Sequence, residues 1–314
     1  MGNYKVSVII CTYNSRYEDI IRTIYSVVVQ KKISYESIIS DDGSKTFEKK
    51  IIEDYFSNIH FGDYIILNHT ENKGTVLNFY DGVINATGEY IYVISPGDYL
   101  FDNTTLSDMY NFAIRNNANM CFGKANYYTY DNGTISVKVP LFPKWPNIYK
   151  EKKQNKLFTD IAFFSGQQPI GATYLRKREI ILKYLDVIKG KIRYEEDFPT
   201  TAMYLLDGNS LYYYGRASVW YECSGGISTS GSDIWRKRLD KDEANARAIL
   251  LERYNNNSVL QAKYVMSKKE RLRHPIICLI GILIKFVSQV KYKTQKPDCK
   301  KIDLLEQILS YQNV

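Results

Sequence analysis

Residues 6–30, VSVIICTYNSRYEDIIRTIYSVVVQ, join a short apolar run to a longer amphipathic pattern. Residues 6–11 are mainly apolar, which is typical of a strand buried on both faces of a sheet. Apolar residues then recur every three or four positions, which predicts a helix with one buried face. Because Ser15 and Glu18 have the spacing of a capping box, we expect Ser15 to cap this helix. A buried strand followed at once by a helix indicates an α/β fold.

The alternation of strands and helices continues through the first hundred residues. Three further strands are predicted from short apolar runs at residues 37–40, 64–67 and 90–95, with amphipathic helices between them. Strand–helix units of about 30 residues indicate a doubly wound, mostly parallel sheet with helices on both faces. Such sheets bind ligands beyond the carboxyl ends of their strands. We therefore expect the functional site in three loops, at residues 11–15, 41–44 and 95–98.

The C-terminal quarter of the chain differs from the rest in pattern and in charge. Residues 101–230 mix strand-like and helical segments, whereas residues 231–314 predict helices alone. Residues 234–314 hold 17 Lys and Arg against 8 Asp and Glu, while residues 1–233 hold 25 against 26. The sequence thus predicts an α/β domain at residues 1–230 followed by a basic helical region. Such a region suits nucleic acid or anionic lipid. Because the sheet portion has no net positive charge, we expect no nucleic acid partner.

The cysteine and histidine content argues against several classes of site. Five Cys without a C-x-x-C pair, and only three His, disfavour a disulfide framework, a zinc ribbon and a histidine-based triad. The fingerprints of dinucleotide-binding, P-loop, zincin and α/β-hydrolase proteins are absent from the sequence. The N-terminal apolar run is too short for a signal peptide, and the cysteine usage suits a reducing compartment, so we expect a cytoplasmic protein.

Polar clusters follow three of the predicted strands. They are Thr12-Tyr13-Asn14, Asp41-Asp42-Gly43-Ser44 and Ser95-Pro96-Gly97-Asp98. Each cluster alone is common turn chemistry, but three on one sheet edge favour a binding site. A carboxylate pair accepts hydrogen bonds from a base and a ribose, and Gly43 permits a close approach of the backbone.

These stretches resemble the opening of the family 2 glycosyltransferases of GT-A fold. The resemblance rests on residues 6–44, on Asn72-Lys73-Gly74 and on residues 88–100, GEYIYVISPGDYL, and it extends to about residue 225. It implies a nucleotide-sugar donor bound by residues 1–100 and an acceptor bound by residues 101–230. The residues that it places around the donor are Thr12, Tyr13, Asn14, Asp41, Asp42, Lys73 and Asp98.

The resemblance also implies a divalent metal, Mn²⁺ or Mg²⁺, at Asp98. The family usually carries Asp-x-Asp here, whereas Ser95 and Gly97 stand at the expected carboxylate positions of this chain. One carboxylate, diphosphate oxygens and water together can hold such a cation. The alternative is that Asp98 only caps a Pro-Gly turn.

A second acidic cluster, Tyr194-Glu195-Glu196-Asp197-Phe198, precedes a predicted helix. By itself this pattern is typical of a helix N-terminus, where acidic residues are favoured by the macrodipole. The resemblance implies an inverting reaction in which an acid of this cluster deprotonates the acceptor hydroxyl. Asp197 is the residue that matches the family's Glu-Asp order, and Glu196 is the alternative. Further on, Arg236 or Arg238 would replace the basic residue with which family members contact the diphosphate.

The resemblance implies transfer of a sugar, most often from a UDP donor, to a hydroxyl of a saccharide or polyprenyl-linked acceptor in surface polysaccharide synthesis. One alternative is a sugar-nucleotide-binding protein that has lost catalysis with its Asp-x-Asp motif. A nucleotidyltransferase is less favoured, because residues 11–19, CTYNSRYED, lack the glycine-rich loop that it needs.

Residues 275–284, PIICLIGILI, form an apolar run of ten residues between basic segments. A helix that crosses a bilayer needs about 20 residues, so we expect this one not to span. Two interpretations remain. The run is either a buried helix that completes the fold or an interfacial helix at an anionic membrane, on the inner face of the cell membrane.

Overall fold

The computed structural model describes residues 4–150, 154–224, 232–267 and 269–311. Within them, the strands are β1 (Val6–Thr12), β2 (Tyr35–Asp41), β3 (Tyr64–Asn68), β4 (Tyr90–Ile94), β5 (Tyr99–Leu100), β6 (Met120–Asp131), β7 (Thr134–Lys138), β8 (Tyr174–Lys177) and β9 (Tyr212–Glu222). The helices are α1 (Tyr17–Val28), α2 (Lys49–Asn58), α3 (Thr75–Asn85), α4 (Thr105–Asn116), α5 (Lys156–Phe164), α6 (Arg178–Ile188), α7 (Asp197–Leu206), α8 (Asp233–Arg253), α9 (Ser258–Leu260), α10 (Pro275–Lys293) and α11 (Ile302–Leu309).

All nine strands belong to one sheet, with the order β3-β2-β1-β4-β8-β6-β9-β5 and with β7 paired to β6. The first four strands in this order are parallel to one another. The other half is mixed, since β8 runs antiparallel to β4 and β6 whereas β9 runs parallel to β6. This arrangement confirms the predicted α/β class, a GT-A type sheet followed by C-terminal helices. The strand order reverses between β1 and β4, where such sheets bind ligands.

The core lies on both faces of the sheet, as the continuous apolar strands predict. Val8 and Ile10 of β1 pack in one cluster with α1, α2 and α4. Ile9 and Cys11 face the opposite cluster, which contains α3, α5, α6 and α7. Alternate residues of one strand therefore bury against helices on opposite sides, because successive side chains of a strand point to opposite faces.

The capping-box prediction is wrong in detail. The N-cap residue of α1 is Arg16, and its side chain makes no capping hydrogen bond. The Arg16 Nε atom instead donates to Asp19 Oδ2 over 2.8 Å. Glu18 and Asp19 lie in the first turn, where their negative charges stabilise the helix N-terminus by interacting with its dipole.

The C-terminal helices pack onto the sheet domain. Ala246 and Leu250 of α8 lie in the core cluster that contains α7. Leu305 and Ile308 of α11 pack against Trp220 in a third cluster. The predicted domain boundary at residue 230 lies outside the described residues and stays a prediction.

Helix α10 extends beyond the apolar run at residues 275–284 and is largely exposed. It has 19 residues, and by length and composition alone it could cross a membrane, so the expectation that it does not span stays a prediction. The helical pattern continues past Lys285 because that side chain is exposed. The buried-helix interpretation is wrong, since only Ile284 and Ser288 of this helix are buried.

Candidate active site

A cleft of about 1200 Å³ opens at the carboxyl ends of β1 and β4. Most of the residues predicted for the donor and the catalytic acids line it, namely Thr12, Tyr13, Asp42, Asp98, Glu196 and Asp197. The three loops predicted from the sequence therefore converge with the segment before α7. Asn14, Asp41 and Lys73 are not among the lining residues.

Asp41 holds the loops together behind the cleft wall. Its fully buried carboxylate accepts hydrogen bonds from Thr12 Oγ1 and from the Ser44 backbone N–H, both over 2.7 Å. The Asn14 backbone N–H donates to Ser44 Oγ over 2.6 Å. Asp41 and Asn14 thus fix the position of the residues that face the cleft, and their predicted contact with the donor stays a prediction.

Asp42 connects the same turn to the segment that precedes α3. Its carboxylate accepts hydrogen bonds from the backbone N–H groups of Lys73 and Gly74, over 2.7 and 2.9 Å. Burial raises the pKa of Asp42, and these two donors oppose the shift. Lys73 therefore contacts the site through its main chain, while its side chain is exposed. Gly43 has a φ of +71°, and a Cβ there would lie 2.4 Å from the Glu71 backbone, so only glycine fits.

Asp98 has a carboxylate neighbour that the sequence analysis missed. Its Oδ1 atom accepts a hydrogen bond from the Glu222 backbone N–H over 2.9 Å. The Glu222 side chain runs beside Gly97, where an added Cβ would lie 3.7 Å from Glu222 Cβ. Burial, and then the Glu222 charge, raise the pKa of Asp98 well above its ordinary value. Glu222 ends β9, far from Asp98 in sequence, so no local pattern points to the pair.

The oxygen donors at this position fit a hard divalent cation. Asp98 and Glu222 both line the cleft. No group of three His, Cys, Asp or Glu side chains that could hold a metal occurs in the described part of the chain. Two carboxylates completed by substrate phosphate oxygens are a donor set that Mg²⁺ commonly uses, so the residues fit a metal bound jointly with a diphosphate.

Asp197 and Glu196 lie at the start of α7, inside the cleft. The Asp197 Oδ1 atom accepts a hydrogen bond from the Phe198 backbone N–H over 2.8 Å. Glu196 Oε1 lies 3.4 Å from Arg176 Nη1, and the Arg176 guanidinium stacks over Tyr174 at 4.4 Å from the ring centroid. Burial raises the pKa of both acids, and the Arg176 charge opposes the rise. Arg176 is a second residue that the sequence analysis missed.

Glu195 completes the acidic cluster. Burial, and then the negative charges of Asp197, Glu243, Glu196 and Asp242, raise the pKa of Glu195 to about 8. Glu195 is therefore mostly protonated at neutral pH. Its protonation reduces the repulsion among the three consecutive acids.

Helix α8 positions the segment that leads to the acids. Buried Asp242 accepts hydrogen bonds from the backbone N–H groups of Arg193 and Tyr194, the latter over 2.6 Å. The Arg193 side chain donates to the backbone oxygen of Asn72 over 2.9 Å. These bonds connect the acidic segment before α7 to the segment that precedes α3.

Of the two arginines predicted for the diphosphate, only Arg238 lines the cleft. Its guanidinium lies over Trp235, 4.7 Å from the ring centroid. Arg236 is ion-paired with Asp233 on the exposed side of α8. Residues 225–231, which lie between β9 and these arginines, are outside the described residues.

Solved structures with the same fold include an enzyme complexed with a nucleotide sugar. The structure of Staphylococcus aureus TarS residues 1–349 with UDP-GlcNAc aligns with a TM-score of 0.54 at 19% identity, over 89% of this chain and 81% of that one. The complex of the same protein with UDP aligns with a TM-score of 0.53 at 18% identity, over 97% of this chain and 90% of that one. At this identity the likeness shows the fold.

Two curated relatives are glycosyltransferases. A cholesterol galactosyltransferase of Borreliella burgdorferi is 32% identical over 183 residues, which cover 57% of this chain and 50% of the relative. The poly(ribitol-phosphate) beta-N-acetylglucosaminyltransferase TarP of Staphylococcus aureus is 31% identical over 144 residues, 45% of this chain and 41% of the relative. The chain thus spans about half the length of the first and less of the second. The profile of glycosyl transferase family 2 matches residues 7–175, more than half of the chain. The chain therefore belongs to glycosyl transferase family 2.

Proposed function

We propose that the protein is an inverting glycosyltransferase in which Asp197 is the general base. The observation that carries this proposal is the position of the Asp197 carboxylate in the same cleft as Asp42 and Asp98. The acceptor oxygen attacks the anomeric carbon, the bond from that carbon to the diphosphate oxygen breaks, and the hydroxyl proton passes to Asp197. The transition state has oxocarbenium character, as in other glycosyl chemistry.

The donor is a UDP-sugar, and the support for this choice is that the TarS neighbours bind UDP-GlcNAc and UDP. In this proposal the nucleoside lies against Thr12, Tyr13 and Asp42, with Asn14, Asp41 and Lys73 fixing those loops. Tyr13 is largely exposed in the cleft and offers a ring for the base. Asp98 and Glu222 would hold Mn²⁺ or Mg²⁺, which supplies charge neutralisation for the leaving diphosphate. In this proposal Arg238, which lines the cleft, contacts the same group.

The acceptor is a hydroxyl of a saccharide or of a lipid-linked saccharide, and the reaction belongs to surface polysaccharide synthesis. The support for this part is that one relative is named for transfer to cholesterol and another for transfer to poly(ribitol-phosphate). A sugar-nucleotide-binding protein without transfer activity is the second candidate, because Ser95 and Gly97 stand where the family has carboxylates. Acceptor-dependent release of nucleotide separates the two.

We place the enzyme in the cytoplasm, at the inner face of the cell membrane, with α10 as the contact. The large exposed apolar side chains of this helix lie on one stripe and are Ile276, Leu279, Ile282, Leu283, Phe286 and Val290. Exposed Lys291 and Lys293 follow in its last turn. An apolar stripe next to basic residues suits the boundary of an anionic bilayer.

The test of the proposed reaction is the stereochemistry of its product. The protein is incubated with α-linked UDP-sugars, Mn²⁺ and an acceptor panel, and the anomeric proton coupling of the product is measured by NMR. A β-linked product is expected. Retention of the α configuration, or nucleotide release that never depends on an acceptor, would contradict the proposal.

A further inference from the structure

A small apolar cavity adjoins Asp197, the proposed general base. It has a volume of about 150 Å³ and is continuous with the cleft, because Phe142, Ile170, Glu195 and Asp197 line both. Its apolar walls are Phe142, Phe163, Pro169, Ile170, Tyr174 and Phe198, and Gln168 is a further polar member of the lining. We call this space the acceptor pocket.

The walls of the acceptor pocket are held in place by packing. The rings of Phe163 and Phe198 stack with an interplanar angle of 3° and a centroid distance of 5.9 Å. The hydroxyl of Tyr174 accepts a hydrogen bond from Thr201 Oγ1 over 3.3 Å, so its polar atom has a partner within the protein. Phe142, by contrast, is partly exposed. The pocket thus has buried inner walls at Phe163, Tyr174 and Phe198 and a partly exposed wall at Phe142.

The acceptor pocket lies on the base side of the cleft. It is lined by Asp197, whereas Thr12, Asp42 and Asp98 line the cleft but not the pocket. In an inverting reaction the acceptor approaches on the face of the sugar opposite the departing diphosphate. A group held in this pocket next to Asp197 therefore belongs to the acceptor rather than to the nucleotide.

The acceptor pocket also has a structural connection to α10. Ile161 of α5 and Ser165, its C-cap residue, approach Gly281 of α10. A Cβ added at Gly281 would lie 3.7 Å from Ile161 Cγ2 and 3.3 Å from Ser165 Oγ. Phe163 lies between them in sequence and therefore points to the opposite side of α5. Helix α5 thus separates the pocket from the helix that carries the exposed apolar stripe.

We infer that the acceptor pocket binds an apolar group of the acceptor, next to the hydroxyl that Asp197 deprotonates, so that the acceptor is an amphipathic alcohol rather than a wholly polar saccharide. This inference rests on the proposed function. An apolar cavity of about 150 Å³ holds a benzene-sized molecule in other proteins. The pocket is therefore large enough for a short alkyl, aryl or prenyl unit, but it is too small for a complete lipid.

The inference is tested first by binding, which needs no turnover. The probe is 4-fluorobenzyl alcohol. Its binding to the full chain is measured by fluorine NMR titration, with and without UDP. The wild type is expected to bind it, and Phe142→Ser and Ile170→Asn are expected to weaken binding by roughly tenfold. Ile114→Ser is the matched control, because Ile114 is as exposed as Phe142 (48% against 43%) and lines neither space.

The second readout compares a benzyl glycoside with the same free sugar as acceptors. The wild type is expected to prefer the benzyl glycoside in kcat/KM, and both pocket variants are expected to lose most of this preference while UDP affinity stays constant. Absence of probe binding, or binding that the two variants leave unchanged, overturns the inference. A change in the choice between UDP-glucose and UDP-GlcNAc instead would assign the pocket to the donor sugar. Probe binding without any transfer would contradict the proposed function and leave the pocket standing.

Discussion

The Arg176 Nη1 atom lies 3.4 Å from Glu196 Oε1, and the side chains of both residues are almost completely buried. The guanidinium also lies over the Tyr174 ring, 4.4 Å from its centroid. Two acids adjacent in sequence therefore share one buried cation. Without it, burial and mutual repulsion would favour protonation of both, and a protonated Asp197 has no capacity to accept a proton.

We predict that Arg176→Met moves the acidic limb of the pH profile to higher pH. The Arg176 charge lowers the pKa of Asp197 against the effect of burial, so its removal raises that pKa further. The base is then protonated up to a higher pH, and kcat/KM falls there. The measurement is kcat/KM for transfer between pH 5 and 9. Arg176→Lys keeps the charge and is expected to keep the acidic limb nearer its original position. An unchanged profile in the Met variant would show that the Arg176–Glu196 pair does not set the ionisation of the base.

Asp42→Ala is expected to weaken UDP binding by roughly 1–3 kcal/mol. The substitution removes an acceptor at the cleft wall and frees the backbone N–H groups of Lys73 and Gly74. Calorimetric titration with UDP measures the effect. Asp54→Ala, on the exposed surface of α2, is the control. Equal affinity in a folded Asp42 variant would remove this residue from the donor site.

Glu195→Gln is expected to stabilise the fold at alkaline pH. The folded-state pKa of Glu195 is raised to about 8, above its unfolded value, so the folded state binds the proton more tightly. Stability from this group is therefore complete below about pH 4 and declines as the pH rises to about 8. Gln stays neutral, and the gain in melting temperature should be larger at pH 8.5 than at pH 4.5. A gain of the same size at both pH values would contradict the assigned titration.

Phe286→Glu and Leu279→Glu are each expected to reduce sedimentation with anionic vesicles. Both side chains are about two-thirds exposed on the apolar stripe of α10, and a charge there opposes insertion at the lipid boundary. Ile114→Glu, on α4, serves as the control. Binding by the wild type should also weaken as salt screens the basic residues. Sedimentation that neither variant changes would place the membrane contact elsewhere.

The sequence predicts the parallel half of the sheet because its signals are local. Each strand from β1 to β4 is a short apolar run, and α1 to α3 carry a helical period. Convergence of Asp42 and Asp98 follows from the rule that ligands bind at the carboxyl ends of parallel strands. The two-residue strand β5 and the strand β8 have no such signal, since their pairing with β9 and β4 is long-range.

The missed site residues depend on the same long-range pairing. Arg176 lies on β8 and Glu222 ends β9, so only the assembled sheet brings them to Glu196 and Asp98. Asp242 reaches the acidic segment from α8, about fifty residues away in sequence. The sequence left a buried and an interfacial position of α10 equally open, because an apolar run has the same composition on a core helix and on a surface helix.

The central claim, that Asp197 is the base, is tested most directly by Asp197→Asn in a paired measurement of transfer rate and UDP affinity. The amide keeps the size of the side chain and its capacity to accept a hydrogen bond from the Phe198 N–H, but it cannot take the acceptor proton. We predict a fall in kcat of about 10²–10⁴-fold, with the Kd for UDP close to that of the wild type. Transfer at a rate near that of the wild type would contradict the account and would make Glu196 the next residue to test.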